Sequence, residues 1–180
     1  MIYAGIIVIA LIGTLSHFLY ELSGHNKFMA IFAAVNESTW EHIKIALNPS
    51  LLWGLYDGFI YGQSSNYFPA KTLSLLTIIL VIPTIFYTYK AILKRAILAV
   101  DIIIFYISII CSQLVFMHII NLPPMEFMCE YFGTIGLFII FGLCMILTLQ
   151  PFEIFLFKDP ISHKYGLSGH TEFGKHKHTH

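Results

Sequence analysis

Carboxylates and imidazoles are the side chains of this sequence that could do chemistry, and they gather early in the chain. His17 and Glu21 are four residues apart, which on a helix stacks one above the other on a single face. Glu37 and Glu41 repeat that spacing, with His42 about 100° further round and Lys44 close to Glu41. Asn36 stands just before them, and Asp101 joins the set if the chain folds back. Carboxylates and neutral imidazoles are ordinary ligands of zinc, manganese and iron, so Glu37, Glu41, His17 and Glu21 make a candidate set for a divalent transition metal such as zinc. An ion held there would polarise an ester or amide carbonyl and acidify a bound water, while a free glutamate moved the proton. Without an ion, the same groups could carry protons or hold a cation in transport. The spacing lacks the adjacent carboxylate and second histidine of the metalloprotease helix motif, so it names no reaction.

The elements that position these groups are transmembrane helices. The chain has 180 residues, of which 57% are hydrophobic, 16% aromatic and only 11% charged, and its mean hydropathy is +0.77. A soluble domain built from so few charges would expose large apolar patches to water, which lipid does not penalise. The lipid bilayer is therefore the expected partner. Net charge is zero with neutral histidines, so no basic surface points to nucleic acid. Cys111, Cys129 and Cys144 suit neither a disulfide framework nor a metal motif and read as small hydrophobes.

Apolar runs divide the chain into an all-α, polytopic bundle of about five spans, near residues 2–22, 38–61, 70–89, 96–120 and 131–149. The first run has no basic leader and no small-residue cleavage site, so it reads as a retained helix. Ser23-Gly24, the polar turn 62–69, Asn121-Leu-Pro-Pro124 and Gln150-Pro151 close the spans. Ser38 and Glu41 have capping-box spacing for the second helix, with Asn36 as a competing cap and Trp40 at the headgroups. Pro49 and Pro83 are expected to bend their helices. Residues 28–35 are too short to cross and are read as either interfacial or re-entrant. Residues 1–157 form the transmembrane domain; residues 158–180 form a histidine-rich cytoplasmic tail, expected to be disordered, whose imidazoles could capture metal.

Lys27, Lys90, Lys94, Arg95, Lys158 and Lys164 fall in one set of connections and Lys71 in the other. The positive-inside rule then puts the amino terminus outside the cell membrane and the carboxyl terminus in the cytoplasm. His17, Glu21, Glu37, Glu41 and Asp101 share the cytoplasmic side, where a carboxylate facing lipid would cost up to roughly 2.5–3.5 kcal/mol at mid-membrane and so should face protein or water. On the outer side, Asp57 and His118 are candidates for a smaller second site, roughly 25 Å of helix from Asp101.

The stretch Asn36-Glu-Ser-Thr-Trp-Glu-His-Ile-Lys44 resembles a motif in a family of small prokaryotic multi-pass membrane proteins known only as a domain of unknown function. His17, and an ending like Lys158-Asp-Pro-Ile-Ser-His-Lys-Tyr-Gly166, extend the likeness over most of residues 10–170. The resemblance implies the same membrane fold and no activity. Three functions follow from the residues: handling of a small cation, proton or coupled solute; a metal-dependent intramembrane hydrolase; and a non-catalytic accessory or assembly subunit.

Overall fold

A computed structural model describes residues 2–170. Among the described residues the chain is all-α, with five α-helices: α1, Ile2–Leu22; α2, Thr39–Tyr61; α3, Tyr67–Leu93; α4, Leu98–Ile120; and α5, Phe127–Leu149. Two short 3-10 turns, Met29–Ile31 and Gly166–Gly169, interrupt the long connections at one end of the bundle. Each of the five expected helices is present, with α3 and α5 extending a turn or so beyond their apolar runs. Both prolines lie inside continuous helices.

Four of these helices, α1, α3, α4 and α5, are long and apolar enough to cross a membrane. Their exposed surface is a continuous apolar face that includes Ile7, Leu11, Leu15, Ile103, Phe138 and Ile139, which fits a membrane protein. The helix outside this group, α2, has ample length but carries Glu41, Lys44, Asn48 and Asp57. All four side chains are buried: the first three because the other helices and the 29–35 segment enclose the first half of α2, and Asp57 against Lys71 of α3. Only beyond Ser50 does α2 expose an apolar face, through Leu52, Leu55 and Phe59. Its lower hydropathy therefore goes with a helix whose first half is enclosed by its neighbours.

One of the tightest crossings in the bundle uses the proline of α2. Pro49 has no N–H to give to the carbonyl of Ile45, one turn back. Gly13 of α1 sits directly over that carbonyl: a Cβ there would lie 2.5 Å from the Ile45 oxygen and 2.7 Å from the Phe105 ring. Only glycine lets the two backbones approach so closely.

Residues 28–35 turn inward at the loop-rich end of the bundle. Ala30, Ile31, Ala33 and Val35 are buried, so their irregular backbone has no water to bond and needs protein partners. α2 supplies them. Lys44 Nζ donates to the Ala30 carbonyl at 2.8 Å, Asn48 Nδ2 donates to the Ile31 carbonyl at 2.8 Å, and Glu41 Oε2 accepts the Val35 N–H at 2.9 Å. Glu41 also pairs with Lys44 at 2.6 Å. Cys144 of α5, buried as expected, lies 3.3 Å from Asn48 Oδ1.

This arrangement corrects three expectations. Ser38 is the N-cap residue of α2 but makes no side-chain capping bond, and the return half of a capping box is absent too, because the Glu41 carboxylate is committed to Lys44 and Val35 while Asn36 Oδ1 takes the Ser38 N–H. Trp40 is buried against Phe157, with ring centroids 5.1 Å apart, and not at a headgroup surface. The segment from Lys158, expected to start a disordered tail, is folded as far as His170, and the rest of that tail lies outside the described residues. Residues 158–170 pack back on the 35–40 stretch: Asn36 Nδ2 donates to the Gly166 carbonyl at 2.9 Å, and His170 Nδ1 meets the Val35 carbonyl at 3.0 Å.

Replacing Gly13 with alanine should destabilise the bundle by about 1–3 kcal/mol, the usual range for overpacking a tight interface. Gly142→Ala, inside α5 where a Cβ would meet nothing within 4 Å, should leave the unfolding midpoint in mild detergent unchanged or raise it slightly, since alanine is the better helix former. Equal behaviour of the two variants would refute the close-crossing assignment.

Candidate metal centre

Three elements converge at the loop-rich end. α1 brings His17 through its last turns, the connection before α2 brings Glu37, and the first turn of α2 brings His42. One ligand atom from each lies within 4.8 Å of the other two. His17 Nε2 is 3.7 Å from Glu37 Oε1, and His42 Nε2 is 3.8 Å from Glu37 Oε2. Tetrahedral ligands at 2.0–2.1 Å from a zinc ion stand roughly 3.3–3.4 Å apart. An ion would therefore need to draw these side chains in by roughly an ångström, which rotation about their bonds can supply. Each of the three is about a quarter exposed, so the group is reachable from outside the bundle.

The orientation of His42 points to a positive guest. Its Nδ1 lies 3.0 Å from the Ser38 carbonyl, an acceptor only, so Nδ1 carries the hydrogen. In the neutral ring Nε2 then presents a lone pair towards the Glu37 carboxylate. A lone pair and a carboxylate do not attract each other; a proton or a metal ion between them makes the arrangement favourable. Carbonyl-held histidines are the usual way in which proteins fix the tautomer of a metal ligand.

Glu37 is held by its backbone. Its N–H donates to Asp159 Oδ1 at 3.0 Å, and Asp159 is fully buried. Asn36 is part of the same scaffold: Oδ1 accepts the Ser38 N–H at 2.8 Å while Nδ2 ties down Gly166. The motif thus divides its labour. Asn36 and Ser38 shape the turn, and Glu37 and His42 face the opening.

Glu37 and His42 also line a cavity of about 250 Å³ between α2, α3, α4 and residues 160–161. Asp101 lies on its wall and accepts a very short hydrogen bond from the Tyr89 hydroxyl, which in turn accepts the Ile97 N–H at 3.2 Å. Thr39, hydrogen-bonded to the Tyr87 hydroxyl at 2.9 Å, and Lys90 complete its polar part.

Two of the four proposed metal ligands are therefore brought together, His17 and Glu37, and His42 joins them. Glu41 is turned away into the buried pair with Lys44, and Glu21 is outside the group that could share an ion. Asp101 belongs to the neighbouring cavity wall. On the far side, Asp57 meets Lys71 of α3 at 2.7 Å and not His118, which is exposed. Lys71 also lies 4.7 Å from the centroid of the Phe116 ring. Sequence reasoning missed Asp159, Tyr89 and Lys90. The first was signalled by the Lys158-Asp-Pro stretch, but the other two are joined to the site only by the α3–α4 turn.

The profile of one family matches residues 1–167, and its description is Family of unknown function (DUF6512). The chain belongs to that family. No curated protein and no solved structure matches this DUF6512 chain. The family likeness expected from the sequence is thereby sustained, and it assigns no activity, so the chemistry of this DUF6512 protein rests on its own residues.

The two glutamates of the motif should behave oppositely. Glu41→Gln strands the fully buried Lys44 ammonium and is expected to cost about 3–5 kcal/mol. Glu37→Gln, at a partly exposed position, should cost less than about 1 kcal/mol. Denaturant unfolding of the two variants in detergent measures both, and the reverse ranking would contradict these roles.

Proposed function

We propose that this is a multi-pass protein of the cell membrane, amino terminus outside and carboxyl terminus cytoplasmic, in which His17, Glu37 and His42 hold one divalent transition-metal ion, with zinc the best fit. We infer that the ion serves hydrolysis of an ester or amide bound in the adjoining cavity. The observation that carries this reading is the His42 lone pair, fixed towards a carboxylate by the Ser38 carbonyl and beside a cavity. Two histidines and one carboxylate are a familiar catalytic zinc set, which leaves a position open for water. An ion held by His17, Glu37 and His42 would acidify a bound water and polarise the carbonyl of a substrate. Asp101, the other carboxylate on the cavity wall, would serve as the base that accepts the proton of that water and returns it to the leaving alcohol or amine as the carbonyl–heteroatom bond breaks.

The orientation rests on basic residues. Lys27, Lys90, Lys94, Arg95, Lys158 and Lys164 all belong to the loop-rich end. The single lysine at the other end, Lys71, is buried against Asp57 and is no loop charge. The bias that sets topology is therefore cleaner than a count of residues suggests.

A second reading, movement of a proton or small cation, is favoured by the polar groups that continue along α2 from Glu41 to Asp57. It is the weaker one because Glu41–Lys44 and Asp57–Lys71 neutralise each other at 2.6 and 2.7 Å and are almost wholly buried. Such pairs resist the loss of either partner.

Purified full-length protein should contain close to one equivalent of zinc by elemental analysis. His42→Ala and Glu37→Gln should lose it while keeping the helical circular dichroism of the parent. Folded parent protein that takes up no zinc in a titration would sink the metal reading. A carboxyl-terminal reporter active only in the cytoplasm should be active, and a silent one would invert the topology.

A further inference from the structure

The cavity beside His42 is polar at one end only. Glu37, Thr39, His42, Lys90 and Asp101 line it where α2 and α4 begin and α3 ends, whereas Ile82, Phe86, Ile104 and Phe105 line its deeper part. Lys90 and Ile82 lie on the same helix, α3, roughly 12 Å apart along its axis. The α4 wall follows the same order, with Asp101 one turn nearer the loops than Phe105. Ile82, Ile104 and Phe105 are buried in the main core, so the slot between these helices has a closed, apolar floor.

A second cavity, of about 330 Å³, adjoins the polar end and shares Glu37, Thr39, Phe86, Lys90 and Pro160 with the first. Charges of both signs stand on the walls of the pair: Glu37, Asp101 and Asp159 against Lys90 and Lys158. With Glu37 engaged by the ion of the candidate centre, two carboxylates face two ammonium groups and the walls balance. A head group of either charge would upset that balance at a partly enclosed site, which is costly. An uncharged head that hydrogen-bonds fits better. Thr39 and Tyr87, whose hydroxyls meet at 2.9 Å, and His163 offer it partners in the second cavity.

We propose that the substrate is a single-chain acyl ester with an uncharged, hydroxyl-bearing head: the chain lies in the apolar slot, the carbonyl at Glu37 and His42, and the head in the second cavity. The slot stands on its own lining; its occupant's role as a substrate rests on the metal-hydrolase reading above. An extended chain advances roughly 1.2 Å per bond, so the slot holds about eight to ten carbons. At about 250 Å³ it is smaller than most ligand pockets and takes one chain, not two. Hydrolysis consumes one water: its oxygen joins the acyl carbon as the acyl carbon–oxygen bond breaks. The acid leaves as a carboxylate with release of a proton, and the oxygen of the head takes a proton to become an alcohol.

The binding test uses the full chain in detergent and glycerol monoalkyl ethers, which cannot be hydrolysed. Equilibrium dialysis against protein-free micelles subtracts uptake by the detergent. Affinity should rise roughly fourfold for each methylene from butyl to octyl and level off by about decyl. Affinity that keeps rising through tetradecyl, or that ignores chain length, would overturn the slot. In zinc-loaded protein, octyl glycerol should bind at least about tenfold more tightly than octyl sulfate or octyl trimethylammonium, and a preference for either ion would overturn the uncharged head. Ile82→Phe fills the floor and should move the plateau about two carbons shorter without altering zinc content; a folded variant with an unmoved plateau would contradict the chain's placement. Zinc-loaded protein should release octanoate from octanoyl glycerol, and stripped protein should not. A levelling chain series with no octanoate released would uphold the slot and overturn the hydrolase, whereas release of acid with no chain-length limit would do the reverse.

Discussion

The fold depends on one obligation: the backbone of residues 30–35, with no more than a single 3-10 turn, runs through the interior of a bundle whose outer surface is apolar. Each of its polar groups needs a partner, since an unmet N–H or carbonyl in hydrocarbon costs several kcal/mol. Glu41, Lys44 and Asn48 answer that need from consecutive turns of α2, and the ion pair between the first two lets a charge of each sign be buried together. This explains why the central helix is the least apolar of the five. Its polar residues are there to hold a neighbouring segment.

That obligation also positions the candidate site. Once residues 30–35 are pinned beneath the start of α2, the next residues must turn sharply to enter the helix. Asn36 makes the turn and is itself clamped by Gly166, while Asp159 takes the N–H of Glu37. Glu37 and His42 are left facing His17 across a gap suited to a cation. The carboxyl-terminal segment is thus part of the site's frame, although none of its side chains is among the three candidate ligands. Close packing of α1 over the carbonyl freed by Pro49 brings His17 to the right level, through Gly13 one turn below it.

The helices were legible in the sequence because their signals are local: an apolar run of sufficient length, closed by Gly, Asn or Pro, needs no tertiary information. The site was legible in part. His17, Glu37 and His42 were all named as candidates, and the conspicuous motif did hold two of them. Glu41 was misread because a carboxylate three residues after a serine looks the same whether it caps a helix or pairs inward with Lys44; only the position of residues 30–35 separates the two. Asp57 was set against His118 on the strength of shared depth, whereas Lys71, just across the α2–α3 turn, was counted as a loop charge. Asp101 and Tyr89 meet across the α3–α4 connection, and no spacing rule along one helix could have joined them. Asp159 lay in a segment whose histidine-rich end made it read as tail.

The central claim is that His17, Glu37 and His42 hold one metal ion beside a substrate cavity. The most direct measurement is an anomalous difference map at the zinc absorption edge, from crystals of the full chain grown with zinc. The account predicts a single strong peak about 2.0–2.2 Å from Nε2 of His17, Nε2 of His42 and a Glu37 carboxylate oxygen. A map with no peak there, or with zinc only at the carboxyl-terminal histidines, would contradict it.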